Sequence, residues 1–347
     1  LVAFLKHRWA PIEAGFKYLI MSATAGGFLL LSMSLLYGLT GTLNFAYLSA
    51  SLRGVEPSPW LLMLLSTLLI GFGVKAAIVP LHTWLPDAHP EAPSPISALL
   101  SGVVIETGLY AMTRVFYLIF HPELFSSLMA ALSIVTMTAA NVLALLQDDI
   151  KRMLAYSSIA QVGYMLIGLS TGTAYGVAGT MLHVFNHSLM KGLAFLAAGN
   201  IVHETGTRDL KRLVGVGRRM PYTAFTLFIA LLGLGGVPST SGFISKFILF
   251  SSALGAGRPL LAVAGVLNSA FSMAYYLRVL KTLVSTPLGE MREAKEAPWM
   301  MVAVTLLMAF LILLFGLYPT PAVRYAFASS RALVTRLERY RAAVMGP

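Results

Sequence analysis

The chain has 347 residues, 57% of them hydrophobic and 11% charged, with a mean hydropathy of +0.77, values that lie outside the globular range and inside the membrane class. Its formal charge of +11, from 25 basic and 14 acidic residues, is scattered over short loops and forms no face or arm, which argues against a nucleic-acid partner. The absence of cysteine excludes disulfides, thiolate metal sites and cysteine nucleophiles.

In chain order, nine apolar runs are expected to span a bilayer, at about 18–38, 59–80, 95–120, 124–147, 153–171, 175–201, 221–250, 259–281 and 298–319. Each is long enough for a hydrocarbon core of about 30 Å at about 1.5 Å per residue. Leu1 to Leu5 reads as the tail of a further helix, and a chain that opens on Leu1 inside LVAFL is expected to continue upstream. The connections are short, 202–220 being the longest, and leave no room for a soluble domain. Because each span must satisfy its own backbone in lipid, the fold class is an all-α polytopic membrane protein.

Sidedness follows from the loops. One side collects Lys6, Arg8, Lys17, Lys151, Arg152, Arg208, Lys211, Arg212, Arg218, Arg219, Lys281, Arg292 and Lys295, whereas the other loops hold only Arg53 and Arg258, so the first set is assigned to the cytoplasm. The tail, 321–347, breaks this pattern. It falls on the opposite side yet carries Arg324, Arg331, Arg336, Arg339 and Arg341. Its spacing of Leu333, Leu337, Tyr340 and Val344 fits an amphipathic helix on the membrane surface or on a partner.

Polar residues inside the spans carry the functional signal. The stretch 71–110 places Lys75 and Glu106 in successive spans, where a charge at bilayer depth costs roughly 2.5–3.5 kcal/mol. Lys75 follows Gly71 and Gly73 and precedes Pro80, the pattern of a discontinuous helix with a charge at its break. Glu106, in SGVVIETGLYAMTR, is a carboxyl able to take and release a proton. His183, His187 and Lys191 recur every four residues and form one stripe about 12 Å long on a single helix face. Histidines at that spacing can chelate zinc, but lysine is a poor ligand and no carboxylate or cysteine lies nearby in sequence, so a proton relay is the favoured reading. In LLGLGGVPSTSGFISKF, residues 231–247, small residues and a proline interrupt an apolar span ahead of Lys246, a second broken helix that points to an inverted repeat.

Lesser features accompany these. His82, Asp87, His89 and Glu91 lie in a proline-rich loop with a structural or access role. Asp148, Asp149, Lys151 and Arg152 read as a solvated turn, and Tyr110, Tyr164 and Ser188 as candidates for supporting hydrogen bonds. There is no phosphate loop, dinucleotide fingerprint, haem motif or iron–sulfur cysteine set, so neither a cofactor nor redox chemistry of its own is expected.

VKAAIVPLHTWLPDAHPEAPSPISALLSG, HVFNHSLMKGLAFLAAGNIVHETGTRDLKRLVG and GLGGVPSTSGFISKF together resemble the antiporter-like subunits of respiratory complex I, of multisubunit sodium/proton antiporters and of energy-converting membrane-bound hydrogenases. HPEAPSPISALLSG is most similar to the hydrogenase and formate-hydrogenlyase branch. The resemblance implies about fourteen helices in two inverted five-helix repeats around a charged, proton-conducting axis. Residues 1–120 would be the C-terminal part of a truncated first repeat, 121–285 the second, and 286–347 a final helix with its amphipathic tail. By motif, Lys75 and Lys246 match the lysines of the two broken helices, and His183, His187 and Lys191 match the stripe linking the half-channels. A glutamate that pairs with the first lysine in the family would lie upstream of Leu1. Many relatives carry lysine where this chain reads IETG, so Glu106 reverses the charge there.

On that basis the chain is expected to sit in a plasma membrane or equivalent energy-converting membrane. Its partners would be other membrane subunits and, through them, a soluble redox arm with iron–sulfur clusters. Redox chemistry in those partners would shift Lys75 relative to its acidic partner and send a proton toward Glu106, the stripe and Lys246. The alternatives are a gradient-driven cation/proton antiporter subunit and a non-conducting structural member of the membrane arm.

Overall fold

Helix ends are written into the sequence. Prolines at the first helical turn, whose missing N–H is unneeded there, open helices at Pro59, Pro221 and Pro259. Side chains of Ser58, Asp149 and Thr173 accept the orphan N–H groups of the turns that follow them. Glycines in the left-handed conformation stop helices at Gly41, Gly206 and Gly236.

The computed structural model describes residues 1–4, 8–52, 55–56, 58–286, 294–334 and 337–345, the side chains of 337–339 excepted. It contains α1 (Trp9–Thr40), α2 (Phe45–Leu52), α3 (Pro59–Lys75), α4 (Leu85–Glu91), α5 (Ser94–Leu99), α6 (Ile105–Ile119), α7 (Ser126–Leu145), α8 (Ile150–Ser170), α9 (Ala174–Thr205), α10 (Pro221–Gly235), α11 (Ser241–Gly255), α12 (Pro259–Val284), α13 (Trp299–Leu317), α14 (Thr320–Val334) and α15 (Leu337–Met345). A π-helical turn, Leu100–Val104, joins α5 to α6. Among the described residues six stretches are long and apolar enough to cross a membrane: α1, the run 94–119, α7, α8, α12 and α13. The apolar helices α3, α10 and α11 are shorter. Helices α8 and α9 form the centre, α8 being almost wholly buried, and their neighbours leave large apolar side chains such as Leu30, Leu62, Val135, Leu267 and Leu307 facing outward, as a lipid-facing surface requires.

Two of the expected spans are broken, with local differences from the sequence reading. The 59–80 run ends its helix at Lys75, and Gly71 and Gly73 lie inside an intact α3, where they admit Leu29 and Leu81 at close range. The 221–250 run is two helices, α10 and α11, separated at 236–240. Each break holds a non-glycine residue in the left-handed region, Ala77 at φ +55° and Ser239 at φ +72°, a conformation costing on the order of 1 kcal/mol that packing must hold in place. A glycine of another helix backs each break. A Cβ on Gly108 would stand 2.9 Å from the Lys75 carbonyl carbon, and one on Gly316 would stand 2.3 Å from the Ser239 oxygen.

The basic loops gather at one end of the bundle. Lys17 and Arg152 pair with Asp87 (3.0 and 3.1 Å), Arg208 with Glu91 and Asp149 (3.0 and 2.9 Å), and Lys211 and Arg278 with Asp148. Lys151 departs from the solvated turn: it is buried, and its Nζ donates to the Ala92 carbonyl at 2.5 Å. Hydrogen bonds from Lys211 and then Arg278 hold the exposed Asp148 carboxyl below the usual carboxylate range. With its pKa lowered on folding, Asp148 contributes stability above its unfolded pKa of about 3.9, and that contribution fades as pH falls toward the folded value. Asp148→Asn should therefore lower Tm by no more than about 2 °C near neutral pH, with the gap to the parent closing below about pH 4 in thermal scans.

Arg258 bonds Ser126 at the other end, and the tail lies there on the chain's own bundle. Ala322, Val323, Ala326 and Phe327 of α14 pack on Met181, Leu182, Ile244 and Ile248, Phe327 meets Tyr175, and Arg341 of α15 bonds Ser49 of α2. The tail thus straps the α9–α11 region to α2. Of the residues used for sidedness and for the termini, Leu5, Lys6, Arg53, Arg292 and Arg336 lie outside the described residues, as do the side chains of Leu337 and Arg339.

Candidate functional site: a buried polar row

Helix α9 supplies the stripe. His183, His187 and Lys191 are each fully buried, and α8, α11 and the α5–α6 segment close over them. The π-turn at Leu100–Val104 adds a residue to the helical repeat just ahead of Glu106, a distortion that recurs at functional sites because it re-aims the side chains beyond it. Ser101 in that turn meets Ser158 of α8 at 2.6 Å.

Glu106 is buried, and its Oε1 shares a hydrogen bond with His187 Nδ1. Among the described residues the second carboxyl oxygen and His187 Nε2 have no partner, so this pair is only half satisfied. One turn earlier on α9, His183 Nε2 meets Gln161 Oε1 at 3.0 Å and Nδ1 meets Ser245 Oγ at 2.8 Å. Since an amide oxygen only accepts, His183 carries its proton on Nε2 and Nδ1 accepts from the serine hydroxyl. Gln161 Nε2 then donates to the Leu234 carbonyl at 3.0 Å. The α10 helix ends one residue after Leu234, which leaves that carbonyl free of a helical partner. The same oxygen accepts from Lys246 Nζ at 2.7 Å.

Lys246 spends its remaining donors on Ser269 Oγ, 2.9 Å away, and on the face of Tyr164, whose ring centre lies 4.5 Å from Nζ. Beyond Tyr164, Asn141 bonds its hydroxyl and accepts from Tyr275. Lys191 donates to Ser157 Oγ and, at 2.8 Å, to the Leu154 carbonyl. Leu154, Ser157 and Gln161 share one face of α8, so the row is a zipper of α8 against α9 with Glu106 and Lys246 at its sides.

Lys75 sits at the edge of this row. It is half-buried at the C-terminus of α3 and donates to Ser22 Oγ of α1 at 2.5 Å. Among the described residues no hydrogen bond joins it to Glu106, although Gly108, half a turn beyond Glu106, rests directly against the Lys75 backbone. The three supporting side chains anticipated from sequence divide. Tyr164 lies in the row. Tyr110 is exposed under Arg114, and Ser188 bonds back to Val184 of its own helix. Gln161, Ser157 and Ser245 were not singled out from sequence, and only the isolated Gln161 in SSIAQVGYML offered a signal.

Two interrupted helices and a titratable stripe, enclosed in an all-helical membrane bundle, define an antiporter-like membrane subunit. Residues 1–272 match the transmembrane family described as NADH:quinone oxidoreductase/Mrp antiporter, and the chain belongs to that family. It is 35% identical over 346 residues to the F(420)H(2) dehydrogenase subunit N of Methanosarcina mazei, covering 96% of this chain and 70% of the relative. It is 37% identical over 326 residues to the NADH-quinone oxidoreductase subunit N of Trichlorobacter lovleyi, covering 90% and 66%. In structure it is similar to a chain of the membrane-bound sulfane sulfur reductase, an archaeal respiratory membrane complex, with a TM-score of 0.89, 32% identity and coverage of 99% of this chain and 70% of that one. The chain thus spans about two thirds of the length of the relatives it matches.

Proposed function

We propose that this protein carries protons along its buried row as the antiporter-like membrane subunit of a redox-driven multisubunit complex. Lys75, Glu106, His187, Lys191, His183 and Lys246 are the residues that exchange them. The observation that carries this reading is the run of hydrogen bonds from His183 through Gln161 and the Leu234 carbonyl to Lys246, one helical turn from the Glu106–His187 pair. Its uncharged members orient the titratable ones. The names of the relatives, an F(420)H(2) dehydrogenase subunit, an NADH-quinone oxidoreductase subunit and a respiratory sulfur reductase, support partners that include other membrane subunits and a redox arm. They give the hydrogenase branch no particular preference. The matching breaks at Ala77 and Ser239, each beside a lysine and backed by a glycine, support the division into repeats at 1–120 and 121–285, with 286–347 as the closing helix and strap.

Lys75→Ala and Lys246→Ala, introduced into the assembled complex in liposomes, should each lower proton translocation at least tenfold relative to electron transfer. Intact translocation in both variants would leave a non-conducting, structural role. Translocation driven by an imposed sodium gradient with the redox reaction blocked would turn the reading to antiport.

A further inference from the structure

The stripe on α9 does not stop at Lys191. Four residues on stands Phe195, and the ring of His89 from α4 stacks on it, with centroids 4.4 Å apart and planes 10° from parallel. His89 is fully buried, and among the described residues neither of its ring nitrogens has a partner. A buried imidazole held only for packing ordinarily finds a partner, since each unmet polar atom costs about 1–3 kcal/mol. Its own carbonyl is fixed by Ser97 Oγ at 2.8 Å, which locks the backbone and leaves the ring as the unsatisfied element. Two lysines flank the stacked pair: Lys191, one turn before Phe195 on α9, and the buried Lys151, whose Nζ donates to the Ala92 carbonyl three residues after His89.

Two polar cavities at the basic end border the chain next to His89, both touching Pro90 and Glu91. One, of about 590 Å³, is lined by Lys17, Asp87, Glu91, Asp149, Arg152 and Arg208. The other, of about 340 Å³, reaches Lys151 and the three residues that follow His89, namely Pro90, Glu91 and Ala92. The α8 face that carries Lys151 continues to Leu154 and Ser157, the partners of Lys191.

We propose that His89 is the intake residue through which protons from the cavities at the basic end reach Lys191. A proton arriving from the Glu91 side binds one ring nitrogen, and the other nitrogen releases its own to the Lys191 amine. The ring returns to neutral as the opposite tautomer, and the ammonium formed on Lys191 is held by Leu154 and Ser157. This rests on the proton-carrying reading above and adds to it a route in from the bulk phase.

The test uses the complete complex in liposomes and scores protons moved per electron transferred. His89→Phe keeps a planar ring against Phe195 and removes both nitrogens, and should lower that ratio at least fivefold. His89→Gly should lose it similarly and recover at least half on addition of imidazole, a rescue that a packing role would not give. A full ratio in His89→Phe, with Lys246→Ala defective alongside, would overturn the intake role and leave the relay standing. Loss in His89→Gly without imidazole rescue would overturn it in favour of packing. Full ratios in both His89→Phe and Lys246→Ala would remove the relay and the intake together. If His89→Phe fails to assemble, the glycine variant with imidazole decides.

Discussion

Glu106→Gln is expected to lower proton translocation by the assembled complex on the order of 10- to 100-fold, with the subunit still incorporated and electron transfer still measurable. The magnitude is that of removing a positioned acid–base group. Glutamine fills the same volume in the same buried site and can still hydrogen-bond His187 Nδ1, so the fold has no reason to give way. What it cannot do is exchange a proton. Among the described residues Glu106 is also the one carboxyl that bonds the α9 stripe, which otherwise presents His183, His187 and Lys191, groups that are neutral or cationic. Without it, a proton leaving the Lys75 side meets a run of bases with no carboxyl beside it among the described residues. Glu106→Asp should retain part of the activity, because the carboxyl survives but is drawn back from His187. The measurement is acidification of the liposome lumen per electron transferred, and a glutamine variant at more than half the parental ratio would place the carboxyl outside the path.

How much of this was legible beforehand depended on charge. Lys75, Glu106, Lys191 and Lys246 stand out because a formal charge in an apolar run is expensive and rarely accidental. His183 and His187 stand out through their spacing. Lys151 was misread because its neighbours Asp148, Asp149 and Arg152 are loop residues, and nothing local says that Ala92, fifty-nine positions away, offers it a carbonyl. Gln161, Ser157 and Ser245 escaped for a related reason. Uncharged polar residues are ordinary in membrane helices, and their partners His183 and Lys191 lie 22 to 62 positions away. The break at 236–240 was readable in GGVPSTS, whereas Gly71 and Gly73 looked like weak points and proved to be contact points. The π-turn has no signature at all, since LSGVV reads as ordinary helix. His89 was only one of four polar residues in a loop until the fold laid it on Phe195.

Gly316→Val should be severely damaging although it touches no charged residue. Its Cβ would stand 2.3 Å from the Ser239 oxygen and 2.6 Å from the Thr240 Cα and carbonyl carbon, so the obstacle is backbone and no side-chain rotation relieves it. Either α13 withdraws or the 236–240 segment shifts, and overpacking of this kind costs about 1–3 kcal/mol. The segment it would push holds Ser239 in the left-handed region and follows directly on Leu234 and Gly235, whose carbonyls accept from Lys246 and Ser269. A displacement there moves the acceptor shared by Gln161 and Lys246, so the His183–Gln161–Lys246 link opens along with the packing. The expected result is a lower Tm in detergent together with a loss of proton translocation approaching that of Lys246→Ala, whereas Gly27→Val on the outward face of α1, where a Cβ meets nothing within 4 Å, should leave both unchanged. Parental values of both in the Gly316 variant would mean that α13 does not bear on the break or on the acceptors of Lys246.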